Sequence, residues 1–112
     1  SQRLPRRVGP AMALDLCTTG RKIDAQEALR IGLVNQVMSQ PELEDYAATL
    51  TKQLSGNGPG AVRSAKQVIH DGLDQDLDSA LALETSLFAL CFASDEQREG
   101  MSAFVEKRKP NF

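Results

Sequence analysis

The sequence predicts an all-α fold, and three observations carry that reading. Every long periodic segment repeats its apolar residues at helical spacing, strand-like alternation is nearly missing, and cap-forming residues stand at the head of successive segments. Five or six helices are expected. Pro10, placed after Gly9 as a first-turn residue, opens a short helix carrying Met12, Leu14, Leu16 and Cys17, and Gly20 stops it. Asp24 with Glu27 starts the next, over "AQEALRIG", which Gly32 closes. "LVNQVM" is the one stretch that reads as a brief extended strand. Ser39 and Glu42, with Pro41 in the first turn, open a helix whose apolar side is Leu43, Tyr46, Ala47, Leu50 and Leu54, and "SGNGPG" breaks it. Ala61, Val62, Ala65, Val68 and Ile69 share one side of a helix stopping near Gly72. Leu77, Leu81, Leu87, Phe88 and Cys91 form the stripe of another, from about Leu77 to Phe92. Ser94 and Gln97 make a capping box for the last helix, with Met101, Phe104 and Val105 on its apolar side. No fixed-period repeat joins these helices.

At 112 residues the chain is one domain by length, near the size at which burial barely exceeds conformational entropy, so a partner surface is expected. A net charge of −2, without interleaved aromatic and basic residues, argues against nucleic acid as a partner. No apolar run reaches membrane-spanning length, and no charged-then-apolar leader opens the chain, so a soluble, intracellular protein with no membrane partner is expected. There is no initiator Met either, and Ser1 is not expected to be a natural start. Cys17 and Cys91 sit among apolar residues with no CxxC or Cys/His grouping; they read as buried thiols of a reducing compartment, and no metal is expected.

His70, the single histidine, has no neighbouring Ser, Cys and acid to activate, and reads as a helix-end residue. Glu84 lies at helical spacing from the Leu77–Cys91 stripe and is expected near the core. Unpaired, it would have the raised pKa of a general acid; paired, for instance with Lys66, it is structural. The acids of "AQEAL" and "DEQREG" read as first-turn acids facing the helix dipole. "GNGPG" has neither the preceding strand nor the following Lys-Ser/Thr of a phosphate loop. The tail is left: Phe104 and Lys107 are three apart, on one face of the last helix, with Arg108 and Lys109 beyond. An aromatic beside a cation suits an adenine ring with an adjacent phosphate. Equally, the cations could meet the helix dipole and Phe104 could be core.

"SQRLPRRVG", "CTTGRKIDAQEALRIGLVNQV" and "ASDEQREGMSAFVEKRKPNF" together resemble the C-terminal part of the enoyl-CoA hydratase/isomerase (crotonase) superfamily, in order and across the whole chain, the last stretch being most like short-chain enoyl-CoA hydratases. The resemblance implies that residues 1–112 are a helical CoA-binding and oligomerisation region which, at full length, follows a ββα-spiral core and assembles as a homotrimer or dimer of trimers. It implies hydration of 2-trans-enoyl-CoA in fatty-acid metabolism, in the cytoplasm or, in a eukaryote, the mitochondrial matrix. The acyl-CoA is then substrate, and no metal or redox cofactor is needed. Two backbone N–H groups would hold the thioester oxyanion and two glutamates would activate water. Those elements precede the Ser-Gln-Arg-Leu at which this sequence begins, so no catalytic residue is expected here and the 112 residues alone should be inactive. The family's F-x-x-K maps onto Phe104 and Lys107, which would meet the adenine and phosphate end of CoA. Leu50, Leu54, Leu87 and Phe88 would pack on the core or on other subunits. The alternatives are an enoyl-CoA isomerase, decided by the upstream acids, or a stand-alone CoA-binding or oligomerisation module without catalysis.

Overall fold

The computed structural model describes residues 1–112 as seven helices with no strand. The chain divides into two compact units, residues 1–44 and 45–112.

In the first unit α1 (Arg3–Val8) packs on α2 (Pro10–Thr19), and α3 (Ala25–Arg30) follows. The sequence reading missed α1, which has no side-chain cap and carries Pro5. Pro5 is tolerated because the N–H it lacks would have had no partner in a first turn. Gly20 ends α2 at φ +65°, its N–H donating to the Leu16 carbonyl at 3.1 Å. The Asp24 carboxylate accepts the Glu27 N–H at 2.7 Å, the cap expected for α3. That helix ends at Gly32, φ +76°, with paired bonds from Gly32 N–H to Leu29 O (3.1 Å) and Leu33 N–H to Ala28 O (2.9 Å). The Arg21 guanidinium joins α2 to α3 by reaching Asp15 at 2.7 Å and Glu27 at 3.0 Å; it holds the Glu27 carboxyl below the usual range and its own pKa is raised in turn. The strand considered over residues 33–38 does not form. A strand needs a ladder partner, and no other extended segment exists to supply one.

Helix α4 (Gln40–Ser55) falls on both sides of the division and is exposed along its length. It begins as expected: the Glu42 carboxylate accepts from the Ser39 hydroxyl at 2.7 Å and the Ser39 N–H at 2.9 Å, bonds that lower its pKa. In the second unit α5 (Pro59–Gly72) packs on α6 (Leu77–Phe92), and α6 on α7 (Asp95–Glu106), with a 68° bend between the last two. Asp76 caps α6 through the Ser79 N–H at 3.0 Å, and Ser94 caps α7 through the Gln97 N–H at 3.2 Å.

Burial is sparse. Ala13, Ala28 and Ala103 are the only buried apolar residues. Of the expected α6 stripe, Leu87 and Cys91 are half-buried while Leu77, Leu81 and Phe88 are exposed, Phe88 stacking obliquely on Phe92 at 4.9 Å. Leu73 is 79% and Val105 75% exposed, so apolar area that would contribute about 25 cal/mol per Å² if covered is left in water. No single helix is long and apolar enough to cross a membrane.

Candidate functional site

The end of α7 is built by an unusual choice of residue. The Lys107 N–H donates to Phe104 O at 3.3 Å and the Arg108 N–H to Ala103 O at 3.0 Å, the same paired bonds that close α3. At α3 the left-handed residue is glycine; here it is Lys107, at φ 54°, ψ 35°, the only non-glycine residue with positive φ. A Cβ in that region costs roughly 1–2 kcal/mol. Lys107 is therefore not on the helical face with Phe104, as the spacing had suggested, but one residue past the helix, where the chain reverses. Its side chain is exposed and makes no hydrogen bond or ion pair within the chain. Phe104, in the last turn, is 80% exposed, so its reading as a core residue fails in this chain.

Arg108 is not a free cation. Its guanidinium grips Glu99 in a fork, with N–O distances of 2.6 and 2.9 Å, and its Nε reaches Glu106 at 2.6 Å. The Asn111 N–H adds a bond to Glu99 at 2.7 Å. Arg108 first, then the Asn111 amide, hold the Glu99 carboxyl down at about 2, against 4.5 ordinarily. Phe112 lies against Gly100, 3.7 Å from where a Cβ would stand. Of the tail's three cations, Lys107 and Lys109 are left without a carboxylate partner.

A second anionic contact lies at the start of α5. Gly58, the residue before Pro59, offers no side-chain cap, and the Glu96 carboxylate of α7 takes that role across 36 residues, accepting the Gly60 N–H at 3.0 Å with both oxygens and the Ala61 N–H at 3.4 Å. Neither glycine is incidental: a Cβ on Gly58 would stand 2.6 Å, and one on Gly60 3.0 Å, from Glu96 Oε2. "GNGPG" thus binds an anion, but one supplied by the chain itself, and the reading of "DEQREG" as acids serving only their own helix is corrected at Glu96. Beside this cap an apolar groove of about 350 Å³ is lined by Phe88, Cys91, Phe92, Met101 and Phe112, and neither Phe104 nor Lys107 reaches it.

Other expectations change. Glu84 is exposed and forms no pair with Lys66, because its side of α6 faces solvent rather than α5. Cys17 is exposed and Cys91 only half-buried, so neither is the buried thiol expected. His70 is exposed in the last turn of α5, as a helix-end residue should be. No group of three or more His, Cys, Asp or Glu is placed to hold a metal ion.

The exposed Phe104 ring and the unpartnered Lys107 one turn later mark the end of α7. The family model described as enoyl-CoA hydratase/isomerase matches residues 1–112, and the chain belongs to that family. It is 46% identical over 112 residues to a crotonyl-CoA hydratase of Syntrophomonas wolfei, covering 100% of this chain and 43% of the relative. Against a short-chain-enoyl-CoA hydratase of Clostridium acetobutylicum it is 46% identical over 109 residues, 97% of this chain and 42% of the other. The crystal structure of an enoyl-CoA hydratase from Bacillus anthracis superposes with a TM-score of 0.95 at 40% identity, over 99% of this chain and 43% of that one. The chain therefore spans less than half the length of these relatives.

Proposed function

We propose that residues 1–112 are the C-terminal, CoA-binding and oligomerisation region of an enzyme that adds water to 2-trans-enoyl-CoA, working in acyl-CoA metabolism in the cytoplasm or the mitochondrial matrix. The relatives' names support the reaction class. Hydration is redox-neutral, so no redox cofactor enters it. The groups that activate water and hold the thioester oxyanion are assigned to the part of the protein outside these residues, an assignment supported by the chain's covering only 43% of the crotonyl-CoA hydratase it matches. Assembly as a homotrimer or dimer of trimers would cover the exposed faces of Phe88 and Val105.

The observation that carries the binding role is Lys107. A lysine is held in a backbone conformation that favours glycine, its ammonium has no partner in the chain, and an aromatic ring of 80% exposure stands one turn before it. Backbone strain retained at an exposed charged residue is more economically explained by a use for the side chain than by the fold. The adenine ring would stack on Phe104 and a phosphate would meet Lys107. In the full-length protein Lys107→Ala should raise KM for crotonyl-CoA about threefold to tenfold with kcat nearly unchanged, because the contact is remote from the reacting carbons. Phe104→Ala should do the same. An unchanged KM in both variants would remove the binding role. Turnover of crotonyl-CoA by the purified 112-residue chain would overturn the assignment of the chemistry elsewhere.

A further inference from the structure

A helix end followed by six residues of chain would ordinarily fray. Residues 107–112 do not hang free, because one turn of α7 receives them. Glu99 takes the Arg108 fork at 2.6 and 2.9 Å and the Asn111 N–H at 2.7 Å, and the Phe112 ring lies over Gly100, next in sequence. Arg108 also reaches back to Glu106 at 2.6 Å, so the residues on either side of Lys107 are joined to each other. Lys107 is the hinge of this closed loop.

Charge points the same way. Glu99 and Glu106 are the carboxylates belonging to this loop, and both are taken by Arg108. Either one, if released, would compete with a phosphate for the neighbouring ammonium. The clasp therefore holds the backbone beneath Lys107 in its reversed conformation and keeps the local carboxylates turned to Arg108, leaving the lysine ammonium with no direct carboxylate contact.

We propose that Glu99 is a positioning residue for Lys107: by tying Arg108 and Asn111 back onto α7, it fixes where the ammonium meets the phosphate end of CoA. This rests on the CoA-binding reading of Lys107 given above. Glu99 itself touches no ligand in this scheme.

The test uses the full-length protein, crotonyl-CoA as substrate and four variants: Lys107→Ala, Glu99→Gln, Arg108→Gln, and Glu99→Gln with Lys107→Ala. Glu99→Gln is expected to raise KM about threefold while kcat stays within about 1.5-fold, and Arg108→Gln to reproduce the rise if Glu99→Gln folds poorly. In the Lys107→Ala background Glu99→Gln should add nothing to KM, since the side chain it positions is gone. A merely structural clasp would lower the melting temperature and leave KM alone, and that result overturns the proposal. So does a KM effect of Glu99→Gln that is undiminished when Lys107 is alanine. If Lys107→Ala raises KM while Glu99→Gln does not, the CoA reading stands and the positioning role falls. If Lys107→Ala leaves KM unchanged, the CoA contact of Lys107 falls and the positioning role with it.

Discussion

Replacing Lys107 by glycine should make the protein more stable and, under the proposed binding role, raise KM for crotonyl-CoA as Lys107→Ala does. The residue sits at φ 54°, ψ 35°, where a side chain costs roughly 1–2 kcal/mol that glycine does not incur. Glycine gives back about 0.4–1 kcal/mol through the greater freedom of its unfolded chain. The net gain lies between about 0 and 1.6 kcal/mol, centred on about 0.8 kcal/mol. In a protein of the relatives' length that is a rise of about 1–4 °C in melting temperature, best read alongside urea unfolding. Lys107→Ala keeps the Cβ and its strain, and should leave stability within about 0.5 kcal/mol of wild type. Gly32 ends α3 through the same paired bonds at φ +76°, and a Cβ there would meet nothing closer than the Arg7 carbonyl at 3.9 Å. Gly32→Ala should therefore lose about 1 kcal/mol, the mirror image of the Lys107→Gly gain. Were Lys107→Gly no more stable than wild type while Gly32→Ala lost its share, the lysine side chain would be supporting the fold, and strain could no longer be taken as a mark of use.

The Glu96 cap yields a second expectation. Gly58→Ala places a Cβ 2.6 Å from Glu96 Oε2 and must push that carboxylate away, so it should cost about 1 kcal/mol, as should Glu96→Ala, and the two losses should not add because they break one interaction. The third concerns pH. The Glu99 carboxyl is held at about 2 in the folded chain against 4.5 ordinarily, so the unfolded state binds more protons between those values. Its contribution is fully present above pH 4.5 and is lost as pH falls toward 2; the stability gap between wild type and Glu99→Gln should narrow over that window in urea titrations.

What could be read in the sequence was what is decided locally. The starts of α3, α4 and α7 were legible because Asp24, Ser39 and Ser94 meet partners three residues away, and the ends of α2 and α3 because Gly20 and Gly32 adopt conformations other residues avoid. Helix α1 has no such cap to announce it. The end of α7 was misplaced because Lys107 sits where glycine is the expected signal. The short apolar-flanked stretch at 33–38 read locally as a strand, but pairing is not a local property. Glu96 escaped for the same reason: nothing within reach of its own helix tells that its partner is Gly60. Phe104 and Lys107 were singled out by their spacing, which on its own favoured a helix cap and a core ring over a ligand, and it was the family resemblance that turned the reading toward CoA. Their exposure and the backbone at Lys107 now add a reason that belongs to this chain.

The carboxylate at the head of α5 also changes what those amides would reveal in deuterated water. The leading N–H groups of a helix have no carbonyl to bond and ordinarily trade their hydrogens quickly. Here Pro59 has none to trade, and those of Gly60 and Ala61 are covered by a side chain from α7. Their exchange cannot follow the fraying of α5 alone. It also waits on the departure of the Glu96 carboxylate, so two backbone hydrogens in one helix report on a side chain carried by another.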